Sequence, residues 1–275
     1  MPVICVMFPR LITSPWFGPV SRRRVERFAG RQRLVITPDN GNLVISYLGV
    51  TRRWRSLGLL IGVLLSTAWA FRDSRLSINF LAAFTGWFVG ALVAEYRIAS
   101  APPGARRAAS LEPRLLRRQL RSGALRLPIF MTAVSAVCGS AALGSAGTGA
   151  DVDVPLVLGY LAAAVAAFGL PVIVGRHVLA RPRPLGTSVD QQLADDALRD
   201  RSLQVLAGCA IALATYPAAN LASQVGDSLN ERLGGVPWIM GAVLLVLGPI
   251  CGWLVATRAR PKSPADDPSL ASQPS

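Results

Sequence analysis

A single histidine, His177, is all the imidazole in this 275-residue chain. No histidine-based metal cluster or histidine pair can therefore be built within one copy. The phosphate-gripping GxxxxGK[ST] loop is absent, as are the GxGxxG turn, the HExxH helix and the GxSxG elbow. Nucleotide hydrolysis and the common hydrolase chemistries lose their usual equipment, so the chain reads as non-enzymatic and free of cofactors. Cysteines number four: Cys5, Cys138, Cys209 and Cys251. None forms a CxxC pair, and the last three lie in apolar runs, where a lone thiol packs as a small hydrophobe. Lysine occurs once, as Lys262, and only 16% of residues are charged. Such heavy arginine usage, with abundant Ala, Gly and Pro, suggests a GC-rich, bacterial coding sequence.

What the chain has in quantity is apolar surface. Hydrophobic residues make up 52%, and the mean hydropathy is +0.42. Six long apolar runs are expected to cross a membrane, at about 57–71, 78–96, 127–146, 154–175, 203–222 and 236–257. The first is short, and Arg72 snorkelling outward would help it span. All but three of the 29 Lys and Arg residues fall in alternate gaps between these runs; the exceptions are Arg72, Arg75 and Arg232. Basic residues are retained on the cytoplasmic side, so this bias places both termini in the cytoplasm and the chain in the plasma membrane. The expected fold is an all-α polytopic membrane bundle of six transmembrane helices, arranged as three hairpins with cytoplasmic amphipathic helices. Its parts are a cytoplasmic or interfacial segment 1–55, a transmembrane domain 56–258 and a disordered tail 259–275 rich in Pro, Ser and Asp.

The net charge of +14 would suggest nucleic acid in a soluble chain. Beside apolar runs the same arginines serve topology and meet anionic lipid headgroups, so no nucleic-acid partner is expected. The first 20 residues are apolar but interrupted by Pro2, Pro9, Pro15 and Pro19, and Arg22-Arg23-Arg24 follows them. A secretory signal has the reverse order. The stretch reads as a loose lead-in or an over-extended gene start.

Three pieces precede the odd-numbered spans. In the first, Val25 and Phe28 among arginines suit a short amphipathic helix. Thr37-Pro38-Asp39-Asn40-Gly41 then breaks the chain. Residues 33–55 admit two forms. Leu34-Val35-Ile36 and Leu43-Val44-Ile45 could flank an Asn-Gly hairpin turn. Alternatively Asp39 or Asn40 caps a helix with Val44, Leu48 and Thr51 on one face. An isolated hairpin is marginal, which favours the helix. In the second piece Leu111, Leu115, Leu116 and Leu120 form an apolar stripe within Leu111–Leu125. Arg114, Arg117, Arg118 and Arg121 lie opposite, as on an interfacial helix contacting lipid or a partner. The third opens with Arg181-Pro182-Arg183-Pro184 and closes with a mixed-charge helix around 191–201. Arg55-Ser56, Arg121-Ser122 and Arg201-Ser202 each precede an odd span. Triplication would explain the echo, and so would serine N-caps beside topology arginines.

Within the spans Glu95 is the one acid near a membrane interior, and local pairing with Arg97 at the interface is its expected state. Tyr216, Pro217 and Asn220, with Glu95, form the candidate pathway set, because a proline in a span frees a carbonyl that polar neighbours can use. Pro171 and Pro249 mark the neighbouring spans. His177 reads as an interfacial ring. Gly58/Gly62, Gly86/Gly90 and Gly248/Gly252 give three spans small faces, mostly for internal packing. Trp54, Trp69, Tyr96, Tyr160, Trp238 and Trp253 fall near expected boundaries, as membrane anchors do.

Two stretches, Asp39-Asn40-Gly41-Asn42 through Thr51-Arg52-Arg53-Trp54-Arg55 and Ala194-Asp195-Asp196-Ala197-Leu198-Arg199, resemble uncharacterised multi-spanning membrane proteins of high-GC actinobacteria. The resemblance implies a membrane location and brings no catalytic residues. The expected function is a membrane component of a transport or envelope complex, with another membrane subunit or a cytoplasmic ATPase as partner. The alternatives are an exporter-type permease subunit of an ABC system using a separate ATPase chain, a stand-alone transporter with a pathway along spans four to six, and a lipid-modifying enzyme using Glu95 and His177.

Overall fold

The computed structural model describes residues 19–72, 80–100, 107–108, 122–147, 152–181, 183–184, 188–228 and 235–258. Among these the chain forms seven helices and one two-residue strand pair: α1 Arg22–Gln32, α2 Pro38–Arg72, α3 Phe80–Ala99, β1 Arg107–Ala108, α4 Ser122–Ala146, α5 Val154–Ala180, β2 Arg183–Pro184, α6 Val189–Ser228 and α7 Val236–Thr257. β1 and β2 pair antiparallel, so the all-α expectation needs only this small amendment. The tail 259–275, the first 18 residues and the arginine stripe Arg114, Arg117, Arg118 and Arg121 lie outside the described residues.

α1 forms because Val25, Phe28 and Gln32 recur on one face and bury it, while Arg22 reaches Glu26 one turn on at 2.8 Å. It ends at Arg33, which adopts the left-handed conformation (φ 52°) and turns the chain. The hairpin alternative for 33–55 is not what forms. Pro38 occupies the first position of α2, where its missing N–H costs nothing. Asn40 Oδ1 accepts the Thr37 N–H at 2.9 Å, and its Nδ2 donates to the Val35 carbonyl at 2.8 Å. This is the reverse half of a capping box, so Asn40-Gly41 becomes a first helical turn and no longer a hairpin turn. Ser56 and Ser202 also lie inside continuous helices, so they are not N-caps.

Among the described residues, five stretches are long and apolar enough to cross a membrane: Leu81–Ala99, Arg126–Ala146, Val154–Ala180, Val189–Asp227 and Val236–Thr257. The expected first span, 57–71, is not among them. It is the second half of α2 and rises about 22 Å, against roughly 30 Å of hydrocarbon. The mixed-charge helix around 191–201 proves to be the first part of α6, continuous with the fifth apolar run.

α6 is the axis of the bundle. Its apolar stretch is 83% buried, against 22% for α7, which lies on the outside. Alanines explain the difference, because Ala207, Ala210, Ala214, Ala218 and Ala222 let neighbouring backbones close in on every side. α7 packs along α6 and α2 along α3, whereas α4 and α5 both lean mainly on α6. Two sequence-adjacent pairs are therefore closely packed, and the α4–α5 pair is held together largely through the axis.

The three small-residue faces are all spent internally. A Cβ added to Gly58 or Gly86 would fall within 3.0 Å of the other helix's backbone oxygen, and the same holds for Gly208 and Gly252 between α6 and α7. By contrast, a Cβ on Gly169 of α5 meets nothing within 4 Å. Gly86→Val is therefore expected to abolish recovery of monodisperse protein in mild detergent. Gly169→Ala is expected to hold or raise the thermal midpoint, since alanine is favoured over glycine in a helix by about 1 kcal/mol.

Candidate functional site

Residues 39–55 and 191–199 come together at one end of the bundle. Gln191 Nε2 donates to the Asp39 carbonyl at 3.1 Å, and Tyr47 packs with Val25, Phe28, Val44 and Leu198. This joins α1, the first half of α2 and the first half of α6, whose apolar faces bury each other. The same end gathers the last turns of α3, α5 and α7.

Glu95 lies here, fully buried on α3. The expected local partner, Arg97, points elsewhere, with its guanidinium 5.1 Å from the Trp54 ring centre. The carboxylate instead receives a hydrogen bond from the Tyr47 hydroxyl at 3.0 Å, and Arg55 Nη2 stands 4.0 Å from the same oxygen. Ser202 also stands near the carboxylate, whose other oxygen has no hydrogen-bond partner among the described residues. Glu95 pairs across helices because α2 runs unbroken along α3 and carries Tyr47 and Arg55 to it. Burial, and then the neighbouring Glu95 carboxylate, push the Tyr47 phenol above its ordinary range, so Tyr47 stays a donor.

On the outer side of Tyr47 and Arg55 is a cavity of about 210 Å³, on the order of seven water volumes. Arg24, Arg27 and Arg31 of α1, Arg55 of α2 and Arg201 of α6 line it, with Phe28, Gln32, Tyr47, Leu48 and Thr51. Among the described residues, no carboxylate lines the cavity. Guanidinium groups do not shed their charge, so five positive groups share one recess. The crowding leaves a mark, because burial followed by repulsion from Arg52 and Arg27 pulls the Arg24 guanidinium below its ordinary value. Two buried polar atoms of the lining residues, Gln32 Oε1 and Arg55 Nε, have no hydrogen-bond partner among the described residues. Arg201 is anchored by donating to the Ala256 carbonyl at the end of α7. Arg55 is steadied by the Trp87 ring, 5.1 Å from its guanidinium carbon.

Beside this recess runs a second ionic group. Asp195 accepts from Arg181 Nη2 at 2.5 Å and from Arg199 Nε at 2.8 Å, clamping the end of α5 to α6. Asp195 and Arg199 lie in the first half of α6. Both are almost wholly buried.

The other sequence candidates sit apart. Asn220 Oδ1 accepts the Tyr160 hydroxyl at 3.3 Å, its Nδ2 donates to the Tyr216 carbonyl at 2.9 Å, and the Tyr160 and Tyr216 rings meet edge-on. Pro217 is fully buried in α6. Tyr216 is about 21 Å of helix away from Ser202, so Glu95 and the Tyr216–Asn220 group do not form one site. The void beside Tyr216 measures about 10 Å³, room for no more than one water. His177 packs its ring against Tyr96, away from Glu95, and Nδ1 lies 3.0 Å from the Ile173 carbonyl.

The arginine recess was not among the sequence candidates. Its signal was the spacing of Arg24, Arg27 and Arg31, which share one helical face beside the Val25–Phe28 stripe. Nothing local indicates that Arg55 and Arg201 close the other side. The chain matches no protein-family model, no curated protein and no solved structure.

Removing the Asp195 carboxylate takes a shared ionic partner from two guanidiniums, one of them buried, and breaking a buried pair costs roughly 3–5 kcal/mol. Asp195→Asn is expected to lower the thermal midpoint of the detergent-solubilised protein clearly. Arg22→Ala, which breaks an exposed pair, should leave it within error.

Proposed function

We propose that this chain is a non-enzymatic multi-pass protein of the plasma membrane, a membrane component of a transport or envelope complex, that holds a phosphate-bearing anion at its cytoplasmic face. The observation that carries this reading is the recess lined, among the described residues, by five arginines and no acid. Crowded like charges are relieved by a polyvalent anion, and planar guanidiniums match phosphate oxygens two at a time. Phe28 and Leu48 give the recess an apolar wall as well, which suits an anion borne on an organic group, whether a lipid headgroup or a soluble phosphate ester.

In this reading the second half of α2 is a sixth crossing. Ile61, Leu64 and Leu65 face outward as lipid-facing residues do, and the glycine face packs on α3. Both termini then lie in the cytoplasm with the recess, as the distribution of arginines requires. Transport through α5–α7 by this chain alone is the weaker reading. Glycine and alanine contacts close the α6–α7 seam, and the void beside Tyr216 is no wider than a water. An ABC-type partner ATPase fits the same face and would be recovered by pull-down in mild detergent.

The test is binding by the full chain in detergent. Radiolabelled inorganic pyrophosphate in equilibrium dialysis is one arm, and flotation with phosphatidic acid vesicles is the other. Binding in either arm is expected to weaken with salt and to fall at least tenfold, about 1.4 kcal/mol, in Arg27→Glu/Arg31→Glu. Pyrophosphate binding identifies a soluble ester, whereas binding confined to vesicles identifies a headgroup. Equal binding by the charge-reversed and wild-type chains would remove the recess from the account.

A further inference from the structure

Tyr47, Arg55 and Arg201 each have two faces. One lines the arginine recess and the other meets the buried Glu95 carboxylate, through the Tyr47 hydroxyl at 3.0 Å and Arg55 Nη2 at 4.0 Å. Glu95 is fully enclosed, so no solvent layer screens it from these partners. A carboxylate in that position offers the two guanidiniums an internal counter-charge, set directly behind the place where an external anion would sit. The internal and external anions draw on the same positive groups.

Resting on the reading of the recess as an anion site, we infer that Glu95 makes anion binding proton-linked: the anion binds more tightly when Glu95 is neutral, and its arrival draws a proton onto Glu95. The sign follows from charge alone. An ionised Glu95 repels a dianion across the guanidiniums and offsets part of their charge, whereas a neutral one does neither. By reciprocity, a bound anion favours the neutral carboxylic acid. Glu95 gains the proton taken up from solution, and no other bond changes. At a membrane face this device would load the recess on the more acidic side of a pH change and empty it on the more alkaline side.

Among the described residues, the neighbours that could imitate the effect are few. From α2 come Tyr47 and Arg55; from α6 come Arg201 and the Cys209 thiol; and Arg31 of α1 acts on Arg201 from the far side of the recess. The α5 groups nearest this region are engaged elsewhere, His177 with Tyr96 and Arg181 with Asp195. Of these, histidine is the group whose ordinary titration falls in the neutral range, so it supplies the control.

Sulfate is the probe, because it stays a dianion where phosphate itself titrates. Binding of radiolabelled sulfate to the full chain in detergent, at fixed ionic strength, is followed from about pH 8 to about pH 5. The wild-type affinity is expected to rise by about tenfold as pH falls, within the range ordinary for coupled sites. Glu95→Gln should bind at the alkaline end as the wild type does at the acidic end, with a flat profile. Tyr47→Phe, which removes a donor to the carboxylate, should keep the slope but move it to higher pH, and it serves if Glu95→Gln does not fold. His177→Asn should retain the wild-type slope. A slope that persists in Glu95→Gln, or disappears in His177→Asn, overturns the inference. So does a flat wild-type profile, or a Tyr47→Phe profile that does not move. If sulfate binds and depends on Arg27 and Arg31 but lacks the Glu95-dependent slope, only the linkage fails. If the wild type binds no sulfate at any pH, the anion site and the linkage fall together.

Discussion

Everything at the arginine-rich end of this bundle depends on where the Glu95 carboxylate is held. A carboxylate without solvent is costly unless opposite charge and hydrogen-bond donors surround it. Those partners come from two other helices, Tyr47 and Arg55 on α2 and Arg201 with Ser202 on α6. To deliver them, α2 must run unbroken from its polar start to its apolar end, and α6 must carry its charged turns straight into an alanine-rich axis. The continuity of those two long helices is the structural counterpart of one buried charge. The recess forms on the outer side of the same residues, where α1 closes over them with three further arginines.

The membrane-facing part obeys a separate constraint. With little hydrophobic drive between helices in lipid, close contact comes from small side chains. The Gly58/Gly62 face meets Gly86/Gly90, and Gly208 meets Gly252, so backbones touch where side chains would hold them apart. Among the described residues, the void beside Tyr216 measures only about 10 Å³. The Asn220 amide, bonded to the Tyr160 hydroxyl and the Tyr216 carbonyl, satisfies polar atoms that the interior would otherwise strand.

Much of the helical framework was legible in the sequence, because apolar runs and arginine placement are local signals. Five of the six expected runs are long and apolar enough to cross, and the helical form of 38–55 followed from the weakness of a lone hairpin. Other features were hidden for identifiable reasons. Local rules paired Glu95 with Arg97, two residues away, because nothing local shows that Arg55 and Tyr47 pass over it. Ser56 and Ser202 resembled caps, since an N-cap and a mid-helix serine beside an arginine look alike until the preceding turn is known. The recess draws on α1, α2 and α6, and only the α1 spacing lay within reach of a sequence reading. Residues 39–55 and 191–199, far apart in sequence, lie close in space, which gives them a shared physical role.

The claim that this end of the bundle is an anion site is tested most directly by seeing the anion. A structure of the full chain in detergent, with tungstate added as a heavy dianionic mimic, locates it by its strong scattering. The account expects one dominant peak enclosed by Arg24, Arg27, Arg31, Arg55 and Arg201, which disappears in Arg27→Glu/Arg31→Glu. A recess left empty at saturating tungstate, with the strongest peak elsewhere on the chain, would contradict it.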